Sequence, residues 1–205
     1  MGQWRPDQKT AQKMAEETRQ MKPFSQESYN VNDDTAKKVT SRVFKQVGIE
    51  LKENNPQGSP FAIDMVGQFQ SRTIYVECAR TSNPMWNDSK FPDKWNGVHV
   101  PARKEHVLNA DKWPKDLGVK QKDIFYSLVN KYLSFVAVCF DTSAILNSPQ
   151  INVTNKDPRF VNSKPYDDPY YVVPVKHWKI KSNPQPNIQA PTNEIWICRR
   201  KRKPD

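Results

Sequence analysis

Along residues 35–48 (TAKKVTSRVFKQVG) apolar side chains return at Val39, Val43 and Val47, with Phe44 beside them. That return every three to four residues marks one face of a helix. Asp33 and Asp34 precede it as N-cap carboxylates, and Gly48 follows it as a stop. Lys37, Lys38, Arg42 and Lys45 fall on the other side, so the pattern predicts an amphipathic helix. The period then changes. Residues 61–66 (FAIDMV) form a short apolar run bounded by Pro60 and Gly67, and residues 72–79 (RTIYVECA) are rich in β-formers. The loop 67–71 is short enough for an antiparallel hairpin. Residues 83–96, with two Pro and two Trp, read as loop; 98–100 reads as extended, and Pro101 opens a helix over 102–108. Residues 123–132 suit either a helix or a strand. Residues 134–140 (SFVAVCF) are a continuous apolar run of the kind found in a strand covered on both faces. Further strands are expected at 170–175 and 194–198, separated by a Pro-rich loop at 182–192.

This order of helices and strands predicts a single mixed α/β domain. Its core spans 31–182. An N-terminal arm occupies 1–30, including a marginal polar helix over 10–21 that Pro23 stops. A Pro-rich segment, a last strand and a basic tail make up 183–205. The hydrophobic fraction of 36% is low, but six Trp, seven Tyr and nine Phe can still fill a core. No window approaches the ~20 apolar residues of a membrane-spanning helix, so no membrane partner is expected. There is no repeat and no sustained heptad.

The formal charge of +10 favours polyanionic partners, nucleic acid first and an anionic membrane surface second. Arg199, Arg200, Lys201, Arg202 and Lys203 concentrate that charge at the C-terminus and leave the body only mildly basic. This run suits a phosphate-binding arm or a solubilising tail equally. Cys78, Cys139 and Cys198 are odd in number, far apart and without zinc spacing, which predicts reduced core thiols in a cytoplasmic compartment. The first residues carry no apolar leader run, and Pro6 stands where myristoylation after Gly2 needs Ser or Thr. His99, His106 and His177 are isolated and read as structural.

Gly-rich phosphate loops, GxSxG, HExxH and paired Cys/His clusters are all missing from the sequence. What stands out is a pair of carboxylates. Asp64 interrupts the first apolar strand and Glu77 the second, and an unpaired buried carboxylate is costly. If the strands pair, both side chains can reach one face near one end and share a divalent cation with oxygen ligands, Mg²⁺ or Mn²⁺. Alternatively, each faces solvent at a sheet edge or pairs with Arg72 or Arg80.

The helix, FAIDMVG and TIYVECAR in succession resemble the helix and hairpin of the restriction-endonuclease-like superfamily, the PD-(D/E)xK nucleases. The resemblance covers roughly residues 33–182 and implies a mixed central sheet flanked by helices. It makes Asp64 and Glu77 the metal-binding and catalytic carboxylates. Residue 79, where the family carries a water-activating Lys, is Ala, and Arg80 next to it points to the opposite face of the strand. Members of the family can supply the Lys from the following helix. The segment VHVPARKEHVL resembles such a helix start, known in phage and bacterial members, with Lys104 as the migrated catalytic cation and Arg103 as a phosphate contact. Read without the resemblance, Arg103 and Lys104 are equally an exposed basic helix face. Trp86, Trp95 and Trp113, interleaved with Lys90, Lys94 and Lys112, suit base stacking, although packing onto the domain is the favoured reading.

The sequence thus leads to a Mg²⁺-dependent endonuclease or exonuclease acting on nucleic acid, DNA foremost. It would work in the cytoplasm (of the host, were the source viral), and a homodimer would suit double-strand cutting. Arg80, Arg103 and the run Arg199, Arg200, Lys201, Arg202, Lys203 are its nucleic-acid-binding residues. The alternative is the same fold with a degraded site, serving as a nucleic-acid-binding or structural component of a viral or replication complex.

Overall fold

The apolar return at Val39 and Val43 becomes the buried face of helix α1 (Gln26–Lys45), completed by Ala36 and Phe44. The computed structural model describes residues 26–54, 63–81, 83–155 and 166–184. Most of the expected arm, its helix at 10–21, the strand at 194–198, Cys198 and the basic tail lie outside the described residues. α1 starts at Gln26 rather than at Asp33, because Asp33 does not cap. Its carboxylate pairs with Lys37 one turn on, at 2.8 Å. Val47, expected on the buried face, is 56% exposed. The helix ends at Lys45, and Val47 falls in the turn that Gly48 closes at a φ of 77°.

Strands β1 (Leu51–Glu53), β2 (Met65–Phe69) and β3 (Arg72–Arg80) form an antiparallel meander. β2 extends past Gly67, which was expected to bound it. A Cβ there would lie 2.7 Å from the Glu50 carbonyl oxygen, so glycine is what lets β1 approach. The reversal is a two-residue turn at Gln70 and Ser71, both at positive φ (47° and 64°), the backbone of a type I′ hairpin. A long crossover then carries β4 (Val98–Pro101), a 3₁₀ turn at Ala102–Lys104 and the one-turn helix α2 (Glu105–Leu108). The helix expected over 102–108 is therefore half 3₁₀ and half α. The ambiguous stretch 123–132 contains strand β5 (Ile124–Val129), buried at every residue and parallel to β3. β6 (Phe135–Cys139) fulfils the doubly covered strand read from SFVAVCF.

Helix α3 (Thr142–Leu146), β7 (Gln150–Asn155), β8 (Tyr166–Val173) and β9 (Trp178–Ser182) complete the described chain. The result is mixed α/β. One sheet has the order β1-β2-β3-β5-β6-β9, and a second, antiparallel sheet has the order β4-β8-β7. α1 packs on one face of the large sheet, through Val39, Val43 and Phe44 against Ile74, Val76 and Phe125. The other face is covered by Trp86, Trp113, Trp178 and residues of β4, β8 and α2. Along β3, Ile74, Val76 and Cys78 face α1, while Tyr75 and Ala79 face the second core, which puts Glu77 on that second face. Cys78 and Cys139 are buried free thiols. Among the described residues, no helix is long and apolar enough to cross a membrane.

Because Gln70 and Ser71 hold positive φ without the residues that favour it, Gln70→Asn combined with Ser71→Gly should stabilise the hairpin. We expect a gain of roughly 0.5–1 kcal/mol in urea unfolding, at unchanged m value. A loss of stability would contradict the type I′ assignment.

Candidate functional site: paired carboxylates beneath a cationic cleft

The hairpin register brings the two strand carboxylates together. Its last ladder pair is Met65 with Val76, so the next position sets Asp64 opposite Glu77. Asp64 sits just ahead of β2, with its carbonyl accepting from the Asn54 amide. Its Oδ2 accepts from the Cys78 backbone amide at 2.7 Å, and its Oδ1 lies 3.7 Å from the Lys37 ammonium. Burial pushes the Asp64 carboxyl above its ordinary range, against the opposing hydrogen bond from Cys78.

Glu77 is only 1% exposed. Its Oε1 accepts a hydrogen bond from the Lys104 ammonium, a contact between a fully buried carboxylate and a side chain 29% exposed. Its Oε2 is buried with no hydrogen-bond partner among the described residues. Burial first, and the Asp64 charge second, raise the Glu77 pKa from 4.5 to about 8, with Lys104 opposing.

Lys104 owes its place to the crossover. Pro101 ends β4 and enters the 3₁₀ turn Ala102–Lys104 with φ −58°. The following α2 is tied down through Glu105, which accepts from the Tyr171 hydroxyl at 3.0 Å and pairs with Lys112 at 2.8 Å. The Trp113 indole donates to the Val107 carbonyl at 3.0 Å. The sequence reading of Asp64, Glu77 and Lys104 as one group thus corresponds to a spatial cluster. Arg72, the alternative partner for the carboxylates, pairs with Asp123 at 3.2 Å instead.

One member of the cluster escaped the sequence reading. Asp33, read as a helix cap, holds Lys37 against Asp64, and its charge is felt at both Asp64 and Glu77. Burial works to lower the Lys37 pKa but is outweighed by the hydrogen bond and charge of Asp33, with Asp64 and Glu53 adding to them. The available signal was the i,i+4 spacing of Asp33 and Lys37 on a helix that continues N-terminally.

Above the cluster opens a cleft of about 680 Å³, bordered by the end of β3, the 94–97 loop, the 3₁₀ turn and β8. Arg80 is at its border, its guanidinium donating to the Lys131 carbonyl at 2.8 Å, and the pleat that turns Ile74, Val76 and Cys78 toward α1 puts it on the face opposite Glu77, as the strand pattern predicts. Arg103 also lines it, 65% exposed and ion-paired with Asp168 at 3.2 Å. Trp86 and Trp113 are core residues and half-buried Trp95 packs against the same core, as the packing reading expected; Trp95 also borders the cleft. The proposed contacts Arg199, Arg200, Lys201, Arg202 and Lys203 lie outside the described residues.

No family model, curated protein sequence or solved structure matches the chain.

Among the described residues, no group of three or more His, Cys, Asp or Glu is placed to hold a metal ion. A hard divalent cation of the Mg²⁺ type needs only one or two carboxylates, completing its shell with water and phosphate, and the chemistry of Asp64 and Glu77 is of that kind. The unpartnered Glu77 Oε2 is the oxygen that such an ion would satisfy.

A carboxyl whose pKa is raised in the folded chain binds a proton that the unfolded chain has lost, so stability falls as pH rises between the two values. For Glu77 that window runs from 4.5 to about 8. Without divalent cations, thermal unfolding should therefore show a loss on the order of a few kcal/mol across this window. Glu77→Gln should remove most of that loss. An unchanged slope in the variant would place the proton elsewhere.

Proposed function

We propose that this chain is a metal-dependent nuclease with a restriction-endonuclease-like core. The observation that carries the reading is the meeting of Asp64, Glu77 and Lys104 at one point beneath a cleft bordered by Arg80 and Arg103. An acidic pair with a cation held on it, under a cationic opening, is the complement of a phosphodiester and the ion that accompanies it. The order helix, hairpin, Asp before the first hairpin strand and Glu within the second also agrees with the superfamily that the sequence resembles.

Asp64 and Glu77 would hold the divalent cation. When bound, such an ion polarises the phosphodiester and lowers the pKa of an attacking water. Lys104 contributes a positive charge at the point where negative charge develops, standing in for the lysine that Ala79 lacks. Arg103 and Arg80 orient the phosphates on either side, and Lys37, braced by Asp33, fixes the Asp64 carboxylate.

One observation favours the degraded-site reading: Lys104 already neutralises Glu77, meeting part of the charge demand that would otherwise call for a cation. On that reading the protein binds nucleic acid and cuts nothing.

The two readings part in one assay. Supercoiled plasmid and labelled single strands are incubated with Mg²⁺, with Mn²⁺ and with chelator. Wild type should cut only with metal. Asp64→Ala and Glu77→Ala should lose at least ~10³-fold in rate, and Lys104→Ala about 10²–10⁴-fold, with thermal transitions retained. Undiminished cleavage by Asp64→Ala would overturn the nuclease reading. No cleavage by wild type, with tight salt-sensitive binding that survives Asp64→Ala, would establish the clamp instead.

A further inference from the structure

We propose that the cleft takes an unpaired polynucleotide strand, with a base stacked at Trp95, and does not accept intact duplex. The inference deepens the nuclease reading, on which it rests for the position of the reacting phosphate. The first argument is depth. Glu77 is 1% exposed and does not line the cleft, whereas Lys104, bound to its Oε1, does, so a phosphodiester drawn toward the pair from the cleft meets Lys104 first. The nucleotides on either side are drawn in with it. A strand held in a duplex cannot make that excursion unless its pairing is broken locally, the situation in which enzymes act on single strands or extrude a nucleotide.

The second argument is size. At about 680 Å³ the cleft falls within the range that encloses a small ligand, roughly 300–1,000 Å³. That volume matches about one or two nucleotides of a strand.

The third is the character of the walls. Trp95, the exposed His99 and Tyr170 supply ring surface, while Lys94, Arg80 and Arg103 supply positive charge. Phe91 stacks on Trp95 (centroids 5.5 Å apart, planes at 22°) and backs the indole with the core residues Trp86 and Trp178. His99 and Tyr170 lie against each other, with centroids 6.1 Å apart. A ring backed from the core, as Trp95 is by Phe91, and set among cations forms a stacking platform for bases that are not already stacked in a helix. Major-groove readout would instead need a protruding helix or ribbon, and this surface is concave.

The test is fluorescence anisotropy of the full chain in chelator, so that binding is read without cleavage. The probes are labelled oligothymidylate, oligouridylate of the same length, and a blunt duplex hairpin. Single strands should bind at least tenfold more tightly than the duplex at equal salt, and the two oligonucleotides distinguish DNA from RNA as the strand taken. Trp95→Ala should weaken single-strand binding about tenfold and leave duplex binding nearly unchanged, whereas Trp95→Phe should restore most of it. Unfolding curves of both variants separate loss of the platform from loss of the fold. Equal or tighter binding of the duplex, or full single-strand affinity in a folded Trp95→Ala, would overturn the inference. A strand preference without metal-dependent cleavage would leave the inference standing and sink the nuclease reading; metal-dependent cutting without strand preference would do the reverse.

Discussion

Glu77 is a carboxylate enclosed in the middle of a sheet, and the cost of enclosing it organises everything around it. An isolated ionised carboxylate in such a place would be costly by several kcal/mol. Two responses are visible: Lys104 is delivered to Oε1 by the crossover, and the pKa rises to about 8 so that a proton can share the burden. Neither satisfies Oε2. The Pro101 turn and the tethering of α2 through Glu105 and Trp113 serve to keep Lys104 within reach. A core built only for stability would place a hydrophobic residue at this position, since replacing buried ion pairs with apolar side chains is often neutral or stabilising.

Asp64 meets the same difficulty by a different route. It lies at the end of the ladder and not inside it, where the Cys78 amide is free to donate to its side chain. Its second oxygen faces Lys37 across the α1 interface. The two carboxylates are thus held from opposite faces of the sheet, one by a helix lysine and the other by a crossover lysine. Asp33 extends the chain of charges to the border of the cleft. In such a network each charge is set by its neighbours, so a change at one member alters the electrostatics of the others.

Much of this was legible in the sequence because Asp64 and Glu77 break strong apolar patterns, and a polar residue within an apolar strand is informative. The hairpin was legible for the same reason, as was β6, whose continuous apolar run admits one environment. Other parts carried no such signal. α1 begins in a polar stretch without an apolar period, so Asp33 was read as its cap. β1 is three residues long, and β7 is an edge strand of largely polar residues. β9 alternates Trp178, Ile180 and Ser182 with lysines, a pattern a strand reading could have used. The 94–97 loop has no period at all, so the selection of Trp95, rather than Trp86 or Trp113, as the cleft aromatic follows only from tertiary packing.

The position of the missing lysine shows how the site can tolerate Ala79. A cation two residues beyond Glu77 on β3 would be fixed by the strand pleat, on the same face as the carboxylate it serves. Lys104 reaches the same carboxylate from a separate segment, which the Glu105 contacts tie to Tyr171 of β8 and to Lys112 of the crossover, not to the hairpin. Its position is therefore coupled to α2 and to β8, and β8 also borders the cleft through Tyr170. Lys104 borders the cleft and Glu77 does not, so on the proposed reading the ammonium is the first charge of the pair that a phosphate in the cleft meets.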